Sequence, residues 1–422
     1  MQRNSNNLIL GGGISGLTVG LVSGWPVFEA SDLPGGICSS YYICPGSTKR
    51  LYEAPGNGEA YRFEIGGGHW IFKAEDDVLK FITKFAHLRK YSRLSAVYFV
   101  KQGLCVPYPL QNNLCFLNQN IVAQAQKELS TIFRSHPSTM KQWLAVKFGP
   151  TLCKLFFYPF HDLYTARLYH KIAPQDTYKS PIGSKSVGYN ANFVYPEEGL
   201  DKMVKRMAKE CNIRYGKCAV KINVKEKVVY FSDGSKFGYN KLISTLPLNK
   251  IMELTKLKVN VKTDPYTSVL VLNIGARKGK NFSQEHWLYN PESKSGFHRV
   301  GYYSNVDNSF LPKSLRKTGE YVGIYVEKAF KGGQKPSLQQ IKEYSDSVVK
   351  ELKAWGFIQD VDVLDSTWID VAYTWSWPSS SWKDEAIALL NKHQIYALGR
   401  YGRWRFQGIA ESIKEGLSWK HT

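Results

Sequence analysis

The fold is decided by the stretch Leu8-Ile9-Leu10-Gly11-Gly12-Gly13-Ile14-Ser15-Gly16-Leu17. A short apolar run enters a glycine-rich turn, and a helix-compatible segment follows. This pattern predicts a strand, a tight turn and a helix, whose unpaired N–H groups favour a pyrophosphate at the helix N-terminus. Gly11 would take the dihedral angles of the turn, Gly13 would let backbone approach the pyrophosphate, and Gly16 would let the helix pack close to the strand.

Such a turn also needs an acid at the end of the next strand, about 20 residues on, to hold the ribose hydroxyls. Trp25-Pro26-Val27-Phe28-Glu29 supplies it, with Glu29 eighteen residues after Gly11. A structural loop could show the glycine pattern alone, but strand, helix and spaced acid together predict a dinucleotide site. The predicted cofactor contacts here are Gly11, Gly13, Ile14, Ser15, Gly16, Glu29 and Ala30.

A second glycine turn, Ser31-Asp32-Leu33-Pro34-Gly35-Gly36, follows this acid directly. It resembles the turn that runs beside the flavin end of the cofactor in FAD enzymes of the amine oxidase and glutathione reductase type. The expected cofactor is therefore FAD, on resemblance rather than on spacing, and Gly36 is an expected contact.

A third glycine run lies in Phe63-Glu64-Ile65-Gly66-Gly67-Gly68-His69-Trp70-Ile71-Phe72, where an apolar strand breaks into three glycines and a histidine. Consecutive glycines allow very close approach of backbone to a flat or charged group. His69 could be an ordinary packed histidine, but its place after this turn favours a cofactor contact. Gly67, Gly68 and His69 are therefore added to the predicted cofactor contacts.

Composition indicates a globular protein. The 422 residues are 43% hydrophobic and 14% aromatic, which suits two or three domains or subdomains with a sizeable core. The net charge is +21, from 56 basic and 35 acidic residues. A solvated basic surface and an anionic ligand or partner both explain this charge, and charge alone does not choose between them. The sequence shows no nucleic-acid-binding motif, so a nucleic acid partner is not expected.

Cysteine usage and hydropathy bear on location. Seven cysteines are scattered without CxxC pairs or metal-ligand spacing, which predicts no metal site and a reduced, cytoplasmic protein. The apolar run near the N-terminus is broken by glycines and lacks a basic leader before a cleavage site, so we expect no signal peptide. No stretch of about 18 apolar residues is present, so we expect no transmembrane segment.

The order of patterns predicts an α/β fold with three parts. A Rossmann-like FAD-binding domain is expected from residues 1–73, 185–265 and 386–422. A helical insertion domain is expected at 74–184, where apolar residues recur at three-to-four spacing, and an antiparallel β-sheet substrate domain at 266–385. The aromatic run from Leu152 to Tyr169 favours a packed core over a ligand-binding face. Contacts to the flavin cofactor are also expected from Val220, Gly399, Arg400, Gly408 and Ile409.

Several further motifs resemble the UDP-galactopyranose mutase family, particularly its eukaryotic branch. The resemblance is piecewise but runs from end to end. It rests on Gly67–His69, Val106-Pro107-Tyr108-Pro109-Leu110-Gln111-Asn112-Asn113, Tyr289-x-Pro291-Glu292 continuing to Phe297-His298-Arg299 and Ser304-Asn305, and Gly399-Arg400-Tyr401-Gly402-Arg403-Trp404-Arg405-Phe406.

The resemblance implies an isomerase without net redox change. The family interconverts pyranose and furanose forms of a nucleoside-diphosphate hexose such as UDP-galactose. Reduced flavin N5 attacks the anomeric carbon and expels the nucleoside diphosphate, and the sugar ring opens and recloses through another hydroxyl. The implied cofactor is FAD in its reduced form, with NAD(P)H or another reductant.

The resemblance also implies roles for residues. A leaving diphosphate needs fixed positive charge, and planar bidentate arginine suits phosphate. Arg299 and Arg400 would hold it, with His69 against the flavin as the third catalytic residue. The implied substrate contacts are Tyr108, Tyr164, Tyr289, Asn305 and Tyr373. Each arginine could instead belong to a buried structural ion pair, and Phe406 stands where the family has a tyrosine.

Two other functions remain open from the sequence. One is an FAD-dependent oxidoreductase of the amine oxidase or protoporphyrinogen oxidase class, which net substrate oxidation with peroxide release would reveal. Paired arginines in the cleft argue against its apolar substrates. The other is a non-catalytic flavin-binding protein with a basic surface, whose flavin would stay inert to sugar nucleotides.

Overall fold

The computed structural model describes residues 7–130, 136–175 and 191–419. The predicted boundary between 74–184 and 185–265 lies outside these residues. Within them the strands, in chain order, are β1 (Leu8–Leu10), β2 (Val27–Phe28), β3 (Ser40–Ile43), β4 (Tyr61–Glu64), β5 (Ile71–Phe72), β6 (Leu88–Ser92), β7 (Ser95–Phe99), β8 (Leu104–Pro107), β9 (Asn192–Pro196), β10 (Ile213–Arg214), β11 (Ala219–Asn223), β12 (Val228–Phe231), β13 (Lys236–Gly238), β14 (Leu242–Ser244), β15 (Tyr266–Lys278), β16 (Trp287–Tyr289), β17 (Arg299–Tyr302), β18 (Tyr321–Lys331), β19 (Ile358–Thr374) and β20 (Ile395–Ala397).

The α-helices of the same residues lie between these strands, except for two that follow β20. They are α1 (Ile14–Ser23), α2 (Asp76–Ile82), α3 (Gln119–Leu129), α4 (Met140–Leu152), α5 (Tyr158–Tyr164), α6 (Leu200–Lys209), α7 (Leu248–Thr255), α8 (Tyr303–Val306), α9 (Leu338–Ala354), α10 (Trp382–Lys392), α11 (Gly399–Gly402) and α12 (Ile409–Leu417).

A five-stranded parallel sheet carries the first glycine turn. Its order is β10-β2-β1-β14-β20, and each neighbouring pair runs parallel. Parallel sheets are covered on both faces, which explains why all three residues of β1 are apolar and at most 1% exposed. α1 starts directly after the turn and packs against α12, which returns from the end of the chain. Segments near the start and near the end of the chain therefore pack together beside this sheet.

A seven-stranded sheet, ordered β19-β15-β18-β17-β16-β7-β8, forms the second layer. β15 pairs antiparallel with both β18 and β19 along nearly its full length. Alternate side chains of β15 serve two cores: Leu270 and Leu272 pack with α9, whereas Val269 and Val271 face the main core. The parallel sheet and the large antiparallel sheet confirm the predicted α/β fold class.

Part of the segment at 74–184, which the sequence predicts to be helical, forms β-strands. Residues 88–107 form β6, β7 and β8, and β7 and β8 extend the seven-stranded sheet. All five residues of β7 are buried, so its run of apolar and aromatic residues is that of a strand covered on both faces. The segment opens with α2, as expected, and helices resume after these strands at α3, α4 and α5. Phe156, Phe160 and Tyr164 are at most 1% exposed, as expected of a packed core.

The structure also bears on membrane-spanning helices, metal-binding groups and cysteine thiols. Among the helices of the described residues, none has the length and apolar content needed to cross a bilayer. The described residues also contain no group of three or more histidine, cysteine or acidic side chains arranged to hold a metal ion. All seven cysteines lie in the described ranges, and each is a free thiol.

Candidate functional site

The glycines of the first turn differ in what surrounds them. Gly11 has φ +97°, and a Cβ there would lie 2.3 Å from Thr245 Oγ1, while a Cβ on Gly16 would lie 1.9 Å from the Gly11 carbonyl oxygen. A Cβ on Gly13 would meet nothing closer than the Gly35 oxygen at 3.9 Å. Gly11 and Gly16 are thus required by packing, whereas Gly13 borders open space. That space is a cavity of about 380 Å³.

The cavity collects many of the predicted site residues. Its walls come from the seven-stranded sheet and from the loops that follow β1, β4, β14 and β20. The predicted residues that line it are Gly11, Gly13, Ile14, Ser15, Gly36, Gly68, His69, Tyr289, Arg299, Tyr373, Gly399, Arg400, Gly408 and Ile409. The predicted residues that do not line it are Gly16, Glu29, Ala30, Gly67, Tyr108, Tyr164, Val220 and Asn305.

Glu29 lies at the end of β2, beside the first turn. Its carboxylate accepts hydrogen bonds from the Gly12 N–H at 2.6 Å and from the Ser31 N–H and hydroxyl at 2.9 Å each. A carboxylate has about four lone-pair sites, so acceptor capacity remains for a ribose hydroxyl. The backbone of Lys217 donates to the Glu29 carbonyl, which brings β11 alongside. Val220 is the extra residue at a register shift in β11, and it is 52% exposed.

The third glycine run packs tightly against β18. A Cβ on Gly68 would lie 2.3 Å from the Tyr325 hydroxyl, and one on Gly67 would lie 2.7 Å from Glu327 Oε1. Gly67 has φ +78°. These glycines let the loop lie flat on the antiparallel sheet, and His69 then projects into the cavity.

His69 is held in a neutral state. Its Nδ1 lies 3.2 Å from the Gly67 carbonyl oxygen. Burial lowers the pKa of His69 to about 4, against the effect of that hydrogen bond, and the positive charges of Arg400 and Arg299 lower it further. At neutral pH the imidazole is therefore uncharged, and it can donate or accept one hydrogen bond at each ring nitrogen according to its tautomer.

This neutral state predicts an acid-sensitive stability. The His69 pKa is lowered from 6.5 to about 4, so in that window the unfolded chain takes up a proton that His69 does not. The free energy of unfolding should fall by about 1–2 kcal/mol between pH 7 and pH 5 from this residue. Denaturant titrations at both pH values should show that His69→Asn removes this decrease. The control His87→Asn changes an exposed histidine, and its free energy of unfolding should fall between pH 7 and pH 5 as in the unmodified protein. An equally large fall in His69→Asn would contradict the lowered pKa of His69.

Arg299 is both cavity-lining and ion-paired. It opens β17 directly opposite Glu327 of β18. Its Nε donates to Glu327 Oε2 at 3.0 Å, and its Nη2 donates to Oε1. Burial acts to raise the pKa of Glu327, but the Arg299 guanidinium and the neighbouring His298 together hold this pKa well below its usual range. His298 Nε2 lies 3.4 Å from the same carboxylate. Glu327 therefore fixes Arg299 in one orientation at the cavity wall.

Arg400 is held differently. Its Nη2 donates to the Ala372 carbonyl oxygen at 2.8 Å, and its Nη1 lies 3.4 Å from the Gln407 carbonyl oxygen. Its guanidinium lies 4.5 Å from the Phe406 ring centroid and 5.3 Å from that of Tyr373. Within the described residues no carboxylate lies within ion-pairing distance of it. Its positive charge is thus oriented by backbone and aromatic rings without being neutralised.

The predicted tyrosines form two layers. Tyr289 and Tyr373 line the cavity. Tyr108 packs behind Tyr289 with ring centroids 4.7 Å apart, and Tyr164 packs behind Tyr373 at 4.8 Å. Asn305 lies elsewhere, with its amide donating to two backbone carbonyls of residues 283 and 285 at 2.9 and 2.7 Å. Asn305 therefore makes a structural contact, because both bonds tie α8 to the loop between β15 and β16.

A cluster that sequence reasoning missed lies beside the cavity wall. Arg93 is 8% exposed, and its Nε and Nη2 have no hydrogen-bond partner among the described residues. The buried Ser95 hydroxyl and Trp287 Nε1 are likewise unpartnered there. Ser95 pairs with Trp287 in the sheet, and Trp287 lines the cavity. No local pattern marks a single arginine in a strand-rich segment, so only the fold reveals this cluster of donors.

Comparison with known proteins bears on the fold. No protein-family model matches the sequence. A crystal structure of reduced UDP-galactopyranose mutase superposes with TM-score 0.79 at 21% identity, over 98% of this chain and 94% of that chain. A putative protoporphyrinogen oxidase from Exiguobacterium sp. 255-15 gives TM-score 0.71 at 12% identity, over 99% and 98%. Putrescine oxidase bound to putrescine gives 0.62 at 13%, over 98% and 97%. This chain shares their overall fold.

Proposed function

We propose that this protein is an FAD-dependent sugar-nucleotide mutase that interconverts pyranose and furanose forms of a nucleoside-diphosphate hexose. The observation that carries the proposal is the presence of two arginines, Arg299 and Arg400, on the wall of the cavity that the glycine turns border. Fixed guanidinium groups suit a diphosphate leaving group. The structural likeness to reduced UDP-galactopyranose mutase supports the same choice.

The residues present fit FAD. Gly13 leaves room where a side chain would otherwise fill the cavity, and Glu29 keeps acceptor capacity for a ribose hydroxyl. α12 starts at the cavity, where its first N–H groups and helix dipole favour an electron-rich group. When bound and reduced, the flavin would supply the nucleophilic nitrogen for the anomeric carbon. We assign its binding domain to residues 1–73, 185–265 and 386–422.

The chain itself would hold the leaving group and exclude water. Arg299 uses Nε and Nη2 on Glu327, which leaves Nη1 for a phosphate oxygen. Arg400 contributes a second, unneutralised charge. The neutral imidazole of His69 would orient the reacting groups by hydrogen bonding without adding a charge. Trp70 and Trp287 wall the cavity and keep it apolar around the reacting carbon.

The test compares oxidised and reduced protein. Purified protein should carry FAD and convert a UDP-hexose between its ring forms only after reduction with dithionite, without consuming stoichiometric reductant. Product ratios by NMR measure this. Equal rates with oxidised and reduced protein would refute the mechanism. Steady oxidant consumption with peroxide release would instead identify the oxidoreductase alternative.

Phe406 offers a prediction about ligand affinity. Its ring stacks on Arg400 at the cavity wall, where a tyrosine would place one more hydroxyl near a bound diphosphate. One added hydrogen bond typically contributes about 0.5–1.5 kcal/mol. Phe406→Tyr should therefore tighten UDP binding by about 2- to 10-fold, measured calorimetrically on the flavin-loaded protein. The control Phe116→Tyr changes an exposed phenylalanine outside the cavity. Loss of UDP affinity in Phe406→Tyr would count against the diphosphate placement.

A further inference from the structure

A second cavity adjoins the first. It has a volume of about 250 Å³ and shares three wall residues with the first cavity, namely Tyr373, Arg400 and Phe406. Its other described walls are Gln175, Thr374, Trp375, Lys383, Trp404 and Arg405. Among these described wall residues there is no acidic side chain. The two cavities therefore meet at Arg400, and the second is lined by three basic residues.

The second cavity has a rigid floor. Trp375 and Trp404 are each 2% exposed, and Trp404 Nε1 donates to the Trp375 carbonyl oxygen at 3.1 Å. Gln175 Nε2 donates to the Thr374 carbonyl oxygen at 2.8 Å. The first bond ties the residue after β19 to the turn after α11, and the second ties the end of β19 to the segment that follows α5. A floor held in this way presents its polar neighbours in a fixed arrangement.

The positive charges around the second cavity are only partly compensated by carboxylates. Lys383 lies in the first turn of α10 and makes no hydrogen bond or ion pair with the described residues. Arg405 Nη2 lies 3.5 Å from Glu415 Oε1, but that oxygen already accepts from Arg403 Nε at 2.9 Å. One carboxylate thus serves two arginines, while Lys383 and Arg400 have no carboxylate partner in the part of the chain that the structure describes. The second cavity carries excess positive charge that an anion would balance.

We propose that the second cavity is a phosphate subsite for the same ligand. In it, Lys383 and Arg405 bind the phosphate that is attached to the nucleoside, while Arg299 and Arg400 bind the phosphate attached to the sugar. Arg400, which lines both cavities, lies between the two phosphates. This subsite deepens the proposed function and rests on it. Through this subsite, Lys383 and Arg405 make the protein prefer a ligand with two linked phosphates over a ligand with one.

The test uses inorganic pyrophosphate and orthophosphate as probes on the flavin-loaded protein. A lost charged hydrogen bond typically costs about 1.5 kcal/mol or more, so Lys383→Ala should weaken pyrophosphate binding about 10-fold by calorimetry. Arg405→Gln should act in the same direction, and Lys383→Arg should restore most of the affinity. Orthophosphate needs only one subsite, so these substitutions should change its affinity less than the affinity for pyrophosphate. The control Lys392→Ala removes an exposed lysine from the other end of α10 and should bind pyrophosphate as the unmodified protein does.

Equal pyrophosphate affinity in Lys383→Ala, Arg405→Gln and Lys392→Ala would overturn the subsite. So would absence of pyrophosphate binding to the unmodified protein. Binding of pyrophosphate needs no turnover, so the two proposals fail separately. If no sugar nucleotide is converted but pyrophosphate affinity still depends on Lys383, the mutase proposal fails and the anion subsite is supported.

Discussion

Replacing Gly13 with valine is expected to give a folded protein that retains no FAD. The backbone of Gly13 has φ −70° and ψ 178°, which valine adopts without strain. A Cβ there would meet no protein atom closer than 3.9 Å, so folding should tolerate the side chain. The valine methyls would instead occupy the space that we assign to the pyrophosphate. The ratio of flavin absorbance to protein, measured after purification, should fall to near zero.

The matched control is Gly56→Val. A Cβ on Gly56 would also meet no atom within 4 Å, but this glycine lies outside the cavity. The variant should retain the flavin content of the unmodified protein. Both variants should show the same far-ultraviolet circular dichroism. Full flavin content in Gly13→Val would mean that the cofactor lies elsewhere.

Replacing Arg400 with alanine is expected to cause the largest loss of turnover. Removing one partner of a desolvated charge pair costs about 2–5 kcal/mol, which corresponds to a decrease in kcat/KM of about 30-fold to several thousand-fold. Arg400→Ala is a cleaner test than Arg299→Ala, because removing Arg400 leaves no buried carboxylate without its partner. Arg299→Ala would strand Glu327, which is 2% exposed, and should lower stability as well. Initial rates with a UDP-hexose and reduced protein measure the effect.

Lysine and surface variants sharpen this prediction. Arg400→Lys keeps the charge but loses the planar fork, so it should recover only part of the activity. Arg277→Ala removes a surface arginine from an exposed pair with Glu320 and should change kcat/KM little. Unchanged turnover in both Arg400→Ala and Arg299→Ala would remove the basis for the diphosphate site.

The sequence was sufficient for features that depend on short-range constraints. The roles expected of Gly11 and Gly16 follow from one strand, one turn and one helix, and the structure shows a positive φ at the first and no room for a side chain at the second. The two-sheet α/β fold followed from the order of such local patterns. Arg299 and Arg400 were chosen by resemblance, and the fold brings both to one cavity from positions about a hundred residues apart.

Features set by long-range pairing were not predictable. Residues 88–107 form strands because β6 pairs with β9 and β7 pairs with β16. The second of these pairings joins residues nearly two hundred positions apart. Glu327 faces Arg299 only because β17 and β18 pair in that register. No local sequence pattern marks Arg93 or Lys383. A single basic residue in a sequence is interpreted as solvent-exposed until its burial or its neighbours are known. Asn305 matched a motif, yet its amide is used within the protein.

The walls of the first cavity come from residues as far apart as Gly11 and Ser412. A fragment that lacks either end would not form the cavity, so we expect no minimal cofactor-binding piece of this chain. If the chain binds FAD as proposed, cofactor loading would report complete assembly, because only molecules with both sheets in place would take up the flavin. By mass action, a ligand at a thousand times its dissociation constant adds about 4 kcal/mol to the stability of the assembled state. The share of flavin that stays bound to protein should therefore track the folded fraction during thermal denaturation, and expression under flavin limitation should favour degradation of the empty protein.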